Sequence, residues 1–399
     1  MNIAIVCDYF LDFVGGAQTS MEQQRRALTA AGHRVTMVSA ARDRGQLVQA
    51  LDESLLVRPR FILPGVDLPI VANDAALRDE LVARFRAASV DVVHVQTEFG
   101  LAHAAADAAA VLGIPVIHTV HTFYWSSEGT WHALLTGLVR RMLRHYTGAE
   151  IPRRKLSRRP LDNLLRNLTL AMALRATAVV SPSAHQARDL AVAGVTPPPA
   201  VVPNPVATST TAVAPLTEEQ VSTPAFLWVA RCESVKRPLV FAKAALRALE
   251  QTGDGFSVDF VGDGSEIGAL RRLAAGQPLL RVHGALDNDA VLRLMDASSA
   301  VVLSSLGFDN QPMTIAEAVS RERGILYCDP RLSEGLSHAG YLSATPGVEG
   351  LADALVALVE DPELLLAMSR GAAEDAAEFS AVRFVERILA VYTAAGVRR

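Results

Sequence analysis

Cysteine is scarce: there are three in 399 residues, and Cys7, Cys232 and Cys328 lie too far apart to form a C-x-x-C pair. That excludes a disulfide framework, and the three read as small buried hydrophobes in a reducing compartment. No apolar run reaches the roughly 18 residues that argue for a membrane span. The first residues already read as a strand, so no signal peptide is expected. The expected location is cytoplasmic, peripheral on the inner face of the plasma membrane. The early glycines, Gly15 and Gly16, do not form G-x-G-x-x-G, which argues against a nicotinamide or flavin site. A net charge of −4 gives no reason to expect nucleic acid as a partner. No D-x-D-like cluster is placed to hold a metal, so neither metal nor cofactor is expected.

Apolar residues make up 50% of the chain, enough for two domains to bury full cores. Short apolar strands alternate with helical stretches throughout, which predicts an α/β fold with parallel sheets in both halves. In the first half the strands read as Asn2–Asp8, Arg34–Ser39, Asp91–Val95, Pro115–Val120 and Ala178–Ser181. Ser181 or Ser183 is expected to cap the helix that follows. His118 and His121 stand three apart on a β-branched run, so they face opposite sides of a strand and do not pair on a metal. His118 reads as a core residue. His121, at the carboxyl end of its strand, is the better site candidate. The Thr/Ser/Ala/Pro-rich stretch over 204–224 predicts a linker between domains 1–203 and 225–379.

In the second half, Ala225–Ala230 leads into Arg231, Lys236 and Arg237 before a helix. Arg231 and Lys236 at a strand end make a cationic pocket suited to a diphosphate. Ser257–Val261 runs into Gly262, Asp263 and Gly264. The stretch V-V-L-S-S-L-G-F-D-N-Q-P-M-T-I-A-E-A from Val301 to Ala318 reads as strand, loop and helix. Its loop lies where open α/β sheets bind ligands. Asp309 or Asn310 is expected to cap the helix, with Pro312 in its first turn. Asp309 and Glu317 offer two carboxylates eight positions apart.

Between Arg140 and Arg166 there are nine Lys/Arg and two acids. Leu134, Leu135, Leu138, Met142 and Leu143 recur among the basic residues at roughly helical spacing, and Trp125 and Trp131 lie just upstream. A basic amphipathic helix of this kind suits an anionic membrane surface. Trp125, Arg140, Arg141, Arg144, Arg153, Arg154 and Lys155 are its expected contacts.

In order, G-G-A-Q, V-V-S-P-S-A, V-V-P-N-P-V, V-A-R-C-E-S-V-K-R-P, V-G-D-G and D-N-Q-P-M-T-I-A-E-A resemble the retaining glycosyltransferases of family four. H-V-Q-T-E-F-G-L-A and H-T-V-H-T-F-Y-W are similar to the bacterial diacylglycerol glucosyltransferases among them. The resemblance spans essentially the whole chain. It implies two Rossmann-like domains facing a cleft, the GT-B fold, with the final helix (380–399) returning to the first domain. It further implies a nucleoside-diphosphate sugar as donor and a membrane lipid as acceptor. Arg231 and Lys236 would then hold the diphosphate. Glu317 would bind the ribose, and His121 and Asp309 would touch the sugar. Gly15, Gly16, Gly262, Asp263, Gly264, Asn310, Gln311, Pro312, Met313 and Thr314 would complete the donor site. Asp309 departs from the family pattern, which has Glu there, one methylene longer. The other readings are transfer to a soluble sugar, a sugar-nucleotide epimerase of the same fold, and a non-catalytic sugar-nucleotide-binding protein. Donor base, sugar, linkage and oligomeric state are not legible.

Overall fold

A computed structural model describes residues 1–11, 16–42, 54–63, 67–126, 132–206 and 215–397. The chain divides into two compact units, Met1–Pro205 with Ala381–Arg399, and Val206–Ser380.

In the first unit the strands are β1 (Asn2–Cys7), β2 (Arg34–Ala40), β3 (Ser54–Val57), β4 (Phe61–Leu63), β5 (Leu68–Ile70), β6 (Val92–Val95), β7 (Val116–Thr119), β8 (Ala178–Ser181) and β9 (Ala200–Val201). Seven of them form one sheet in the order β3-β2-β1-β6-β7-β8-β9, and β4 and β5 form a separate antiparallel pair. All pairings in the large sheet are parallel; Ile3, for example, stands opposite Val35 on one side and Val92 on the other. Strands buried on both faces read as continuous apolar runs, which is why I-A-I-V and V-V-H-V need no alternation. The helix Ala381–Ala394 supplies Phe384, Ile388 and Tyr392 to the same core as Ile3, Ile5, Val92 and Ile117.

The second unit holds β10 (Ala225–Val229), β11 (Ser257–Val261), β12 (Leu280–Gly284), β13 (Ala300–Leu303), β14 (Gly324–Tyr327) and β15 (Gly340–Leu342), in the order β12-β11-β10-β13-β14-β15, all parallel. Phe226, Trp228, Phe241 and Phe260 fill one face of that sheet and Leu227, Val301, Ile315 and Ile325 the other. In each sheet the strand order reverses once, at β1/β6 and at β10/β13. Ligands of open α/β sheets bind outside the carboxyl ends of the strands at such a reversal.

The expected linker differs from what the structure shows. Residues 207–214 lie outside the described ones. The rest of 215–224 is ordered against the second unit: Thr217 and Gln220 form a reciprocal capping box on the helix Glu218–Ser222, and Leu216 and Val221 are buried in the core. Upstream, Asn204 is buried in the first unit. A capping box and two apolar residues outweigh a composition rich in Thr, Ser and Pro.

Candidate active site

In the second unit, two loops leave the sheet on either side of the β10/β13 reversal. The first carries Arg231 and ends in a short turn, Ser234–Lys236; the second carries Ser304 to Pro312. Charge joins them. Lys236 Nζ pairs with Asp309 Oδ1, and Ser305 Oγ donates to the other carboxylate oxygen. Ser304 ties the backbones: its Oγ donates to the Lys236 carbonyl at 2.7 Å and accepts from the Trp228 indole N–H at 2.9 Å. Arg237 reaches back to the Ser304 carbonyl at 3.1 Å and to the Pro346 carbonyl at 2.6 Å. Its φ of +57° is uncommon for a residue with a Cβ and more so before a proline. Its bonds to these two segments hold it there.

Asp309 therefore does not cap the helix, as the sequence led us to expect. The helix is Met313–Val319, its N-cap is Pro312, and no side chain caps it. The helix starts too late for Asp309 to stand at its cap, and the carboxylate takes an ammonium partner instead. Asn310 and Gln311 lie in the loop, and Met313 and Thr314 in the first helical turn.

Gly262 and Gly264 act through close approach. A Cβ on Gly262 would stand 1.8 Å from the Ala230 carbonyl oxygen, and one on Gly264 would stand 2.7 Å from that of Cys232. With the Cys232 N–H bonded to the Asp263 carbonyl at 2.9 Å, this zips the V-G-D-G loop onto the loop of Arg231. These glycines therefore shape the basic loop. The Asp263 carboxylate accepts from its neighbour's N–H at 2.8 Å. The Arg231 side chain is exposed.

Glu317 is one turn into the helix, half-buried, with no recorded hydrogen bond or ion pair among the described residues. Burial raises its pKa above the usual carboxylate range. A desolvated carboxylate without a partner is a mark of a binding site.

In the first unit, His121 follows β7 and its Nε2 lies 2.6 Å from Gln96 Oε1. The Gln96 amide donates to Gln24 at 3.0 Å, and Gln24 donates to Ser20 at 3.1 Å and to Asn204 at 3.3 Å. With each amide oriented this way, His121 carries its proton on Nε2 and leaves Nδ1 as an acceptor. Desolvation lowers its pKa to about 4, so the ring is neutral at pH 7. Gln96, Gln24 and Asn204 were not singled out from sequence; each is an ordinary polar residue until the fold gathers them. Across the β1/β6 reversal, Asp8 accepts from the N–H groups of Phe99 and Leu101, at 3.1 and 2.7 Å, and so caps the helix Gly100–Leu112 from a distance. Beside it, burial pushes the Glu98 carboxyl up to about 8, opposed by a 2.8 Å bond from Thr169. Gly16 opens the helix Gly16–Ala30; Gly15 lies outside the described residues. His118 is fully buried, with neither ring nitrogen bonded, as expected of a core residue.

The basic stretch folds as two helices, His132–Thr147 and Pro160–Arg175, with a connecting segment. Its charges divide by role. Arg140 donates to the Ile151 carbonyl at 3.0 Å, Arg154 donates to the Ala193 carbonyl, and Arg166 donates to that of Leu156 at 3.0 Å. Arg141, Arg144, Arg153, Lys155, Arg158 and Arg159 are exposed. Arg140, Arg141 and Arg144 line a depression of about 640 Å³. The apolar positions divide as well: Leu143 is in the core, whereas Leu135 and Leu138 are 53% and 67% exposed. Trp125, the expected membrane anchor, is half-buried. Its indole N–H donates to Thr169 at 3.2 Å and its ring packs edge-on against Phe99, because an apolar cluster already lies beneath it. Trp131 and the side chain of Leu134 lie outside the described residues. Among the described residues no helix is long and apolar enough to cross a membrane.

Two parallel-sheet Rossmann-like units, each with polar residues gathered at its strand-order reversal, are the architecture of GT-B glycosyltransferases. Residues 14–210 match the family described as Glycosyltransferase Family 4, and residues 223–361 match the Glycosyl transferases group 1 family. The chain belongs to these glycosyltransferases and is an enzyme of the hexosyltransferase class. A curated relative, alpha-monoglucosyldiacylglycerol synthase from Acholeplasma laidlawii, is 27% identical over 124 residues, 31% of this chain and 30% of that protein. The fold is similar to that of Anabaena Alr3699/HepE solved in complex with UDP, with a TM-score of 0.70 and 15% identity over 99% of this chain and 100% of that one. It is also similar to sucrose-phosphate synthase from Thermosynechococcus elongatus, with a TM-score of 0.68 and 15% identity over 98% of each chain.

Proposed function

We propose that this enzyme is a retaining, metal-independent hexosyltransferase. It moves a hexose from a UDP- or GDP-sugar to a lipid acceptor at an anionic membrane surface. The observation that carries the donor half is the meeting of Lys236 and Asp309 at the β10/β13 reversal, with Glu317, unpartnered among the described residues, one helical turn further on. The bond from sugar to diphosphate breaks with negative charge growing on phosphate. Lys236, anchored through Ser304 and Asp309, stabilises that charge together with the exposed Arg231 of the same loop, and preorganised charge is usually the largest catalytic term. Neutral His121 offers Nδ1 to a sugar hydroxyl. The acceptor hydroxyl attacks from the side the diphosphate leaves and gives its proton to the leaving phosphate oxygen, so the anomeric configuration is kept. That Alr3699/HepE was solved with UDP supports a uridine donor as the first to try.

Glu317 is assigned to the ribose. Glu317→Gln turns one acceptor oxygen into a donor and is expected to weaken nucleoside-diphosphate binding in calorimetry. Unchanged affinity would return Glu317 to an ordinary helix carboxylate.

The lipid half rests on the exposed arginines beside exposed Leu135 and Leu138, and on the likeness to the Acholeplasma synthase. Each basic side chain near an anionic surface contributes about 1 kcal/mol. The protein is expected to co-sediment with anionic vesicles and not with neutral ones. Neutralising Arg153, Arg154, Lys155, Arg158 and Arg159 should release it, as should high salt, since these charges are screened over about 8 Å at physiological ionic strength. Binding indifferent to charge and salt would sink the electrostatic version. Leu135→Ser with Leu138→Ser should weaken vesicle binding and leave thermal stability unchanged, since neither side chain is in the core. Donor turnover that needs no lipid acceptor would favour an epimerase, and equal turnover on a soluble sugar would move the acceptor off the membrane.

A further inference from the structure

The ion pair between Lys236 and Asp309 has a consequence for which ligand the site prefers. Both side chains are largely buried, 19% and 8% exposed, so the pair is poorly screened by water. The Lys236 backbone is held by Ser304, which limits where its ammonium reaches. A diphosphate that draws on this ammonium must therefore take it, wholly or partly, from Asp309. What Asp309 receives in exchange depends on the ligand. A donor with its sugar attached brings hydroxyl groups that donate to the carboxylate. A free nucleoside diphosphate has only its ribose hydroxyls, which the Glu317 reading places elsewhere, and so takes the ammonium from a desolvated carboxylate without supplying a sugar hydroxyl in exchange.

We propose that Asp309 is a specificity-determining residue: by competing with the diphosphate for Lys236, it makes the site favour the intact sugar donor over the nucleoside diphosphate left after transfer. This rests on the reading of the second unit as the nucleoside-diphosphate-sugar site. Asp309 serves product release as well as sugar contact. The shorter acid suits the role, because it meets Lys236 while held by Ser305 in its own loop.

The test is a pair of measurements on the full chain. UDP, GDP and ADP are titrated by calorimetry into wild type, Asp309→Asn and Asp309→Glu, and donor kinetics are recorded with the matching sugar nucleotide. Asp309→Asn keeps the shape and removes the charge that holds Lys236. It is expected to bind the nucleoside diphosphate about tenfold tighter, a difference of about 1.4 kcal/mol, and to be inhibited more strongly by it as product. Its kcat is expected to fall and its KM for the sugar donor not to improve. Asp309→Glu, which keeps the charge, should bind the nucleoside diphosphate as wild type does. A merely structural role would not produce opposite changes in nucleotide affinity and kcat. The double variant with Lys236→Met separates exchange from general charge repulsion: the tightening should vanish when Lys236 is absent. Unchanged or weaker nucleotide binding by a folded Asp309→Asn protein, or tightening that survives the loss of Lys236, overturns the exchange while leaving the donor site standing. Failure of all three nucleotides to bind wild type and variants alike overturns both.

Discussion

Lys236→Ala is expected to lower transfer at saturating donor by about 10²-fold or more, the usual effect of losing one preorganised charge-stabilising donor. Lys236 is one of three lysines, with Lys155 and Lys243, in a chain that otherwise uses arginine. Its ammonium is a compact point charge on a narrow stem, paired with Asp309 and 5.4 Å from the Phe308 ring centroid, and a planar guanidinium fork does not reproduce that geometry. Lys236→Arg is therefore expected to recover only part of the activity, although it keeps the charge. The alanine variant also leaves Asp309 buried without its ammonium. A variant lacking both side chains tells loss of the diphosphate's partner from damage done by a stranded carboxylate: activity should stay low in the double variant. A change of less than threefold in Lys236→Ala would remove the basic loop from the mechanism.

The second large effect concerns acid. Desolvation holds His94 and His118 neutral with pKa values lowered to about 3, and His103 to about 4. An unfolded histidine takes a proton near 6.5. The folded values lie below the unfolded one, so each contribution to stability is complete above about pH 6.5 and is lost as pH falls toward the folded value. The loss is about 1.4 kcal/mol per pH unit for each group. Glu98 works in the opposite sense: its folded value of about 8 lies above the unfolded one, so stability falls as pH rises from about 4.5 to 8. The histidines outnumber it below pH 6.5, and a steep acid limb is expected. His118 isolates the effect, because neither of its ring nitrogens has a partner to lose. His118→Leu is expected to change stability little at pH 7 and to stabilise by about 2 kcal/mol more at pH 5 than at pH 7. Urea unfolding at the two pH values measures it. An equal difference at both would mean that His118 is not held neutral.

Much of this was legible in the chain. A strand buried on both faces is a short apolar run bounded by glycine or polar residues, and β1, β6, β10 and β13 each announce themselves that way. The loops after them could be placed at carboxyl ends from order alone. Hidden were the elements with little pattern. The weakly paired β4 and β5 and the helix Ala75–Ala87 lie in a stretch whose apolar residues follow neither period for long. Hidden too was everything decided across space. Nothing in F-D-N-Q-P tells that Asp309 answers to a lysine 73 residues earlier rather than to its own helix. Gln96 and Asn204 look like solvent-facing residues until they meet around Gln24. Trp125 reads as a membrane anchor in the sequence, yet in the fold it is half-buried and packs against an apolar cluster.

The first unit is built from two separated lengths of chain, and that has a bearing on its synthesis. Met1–Pro205 leaves the ribosome first, yet its core is incomplete without Phe384, Ile388 and Tyr392. The Tyr392 hydroxyl that meets His94 at 2.8 Å arrives only after the whole of Val206–Ser380 has been made. At ordinary elongation rates of about 5–20 residues per second, the wait is on the order of ten seconds. During that interval a strip of sheet along Ile3, Ile5 and Val92 stands open to water, while the second unit has every residue it needs to fold. The second unit can therefore complete its core before the first one does.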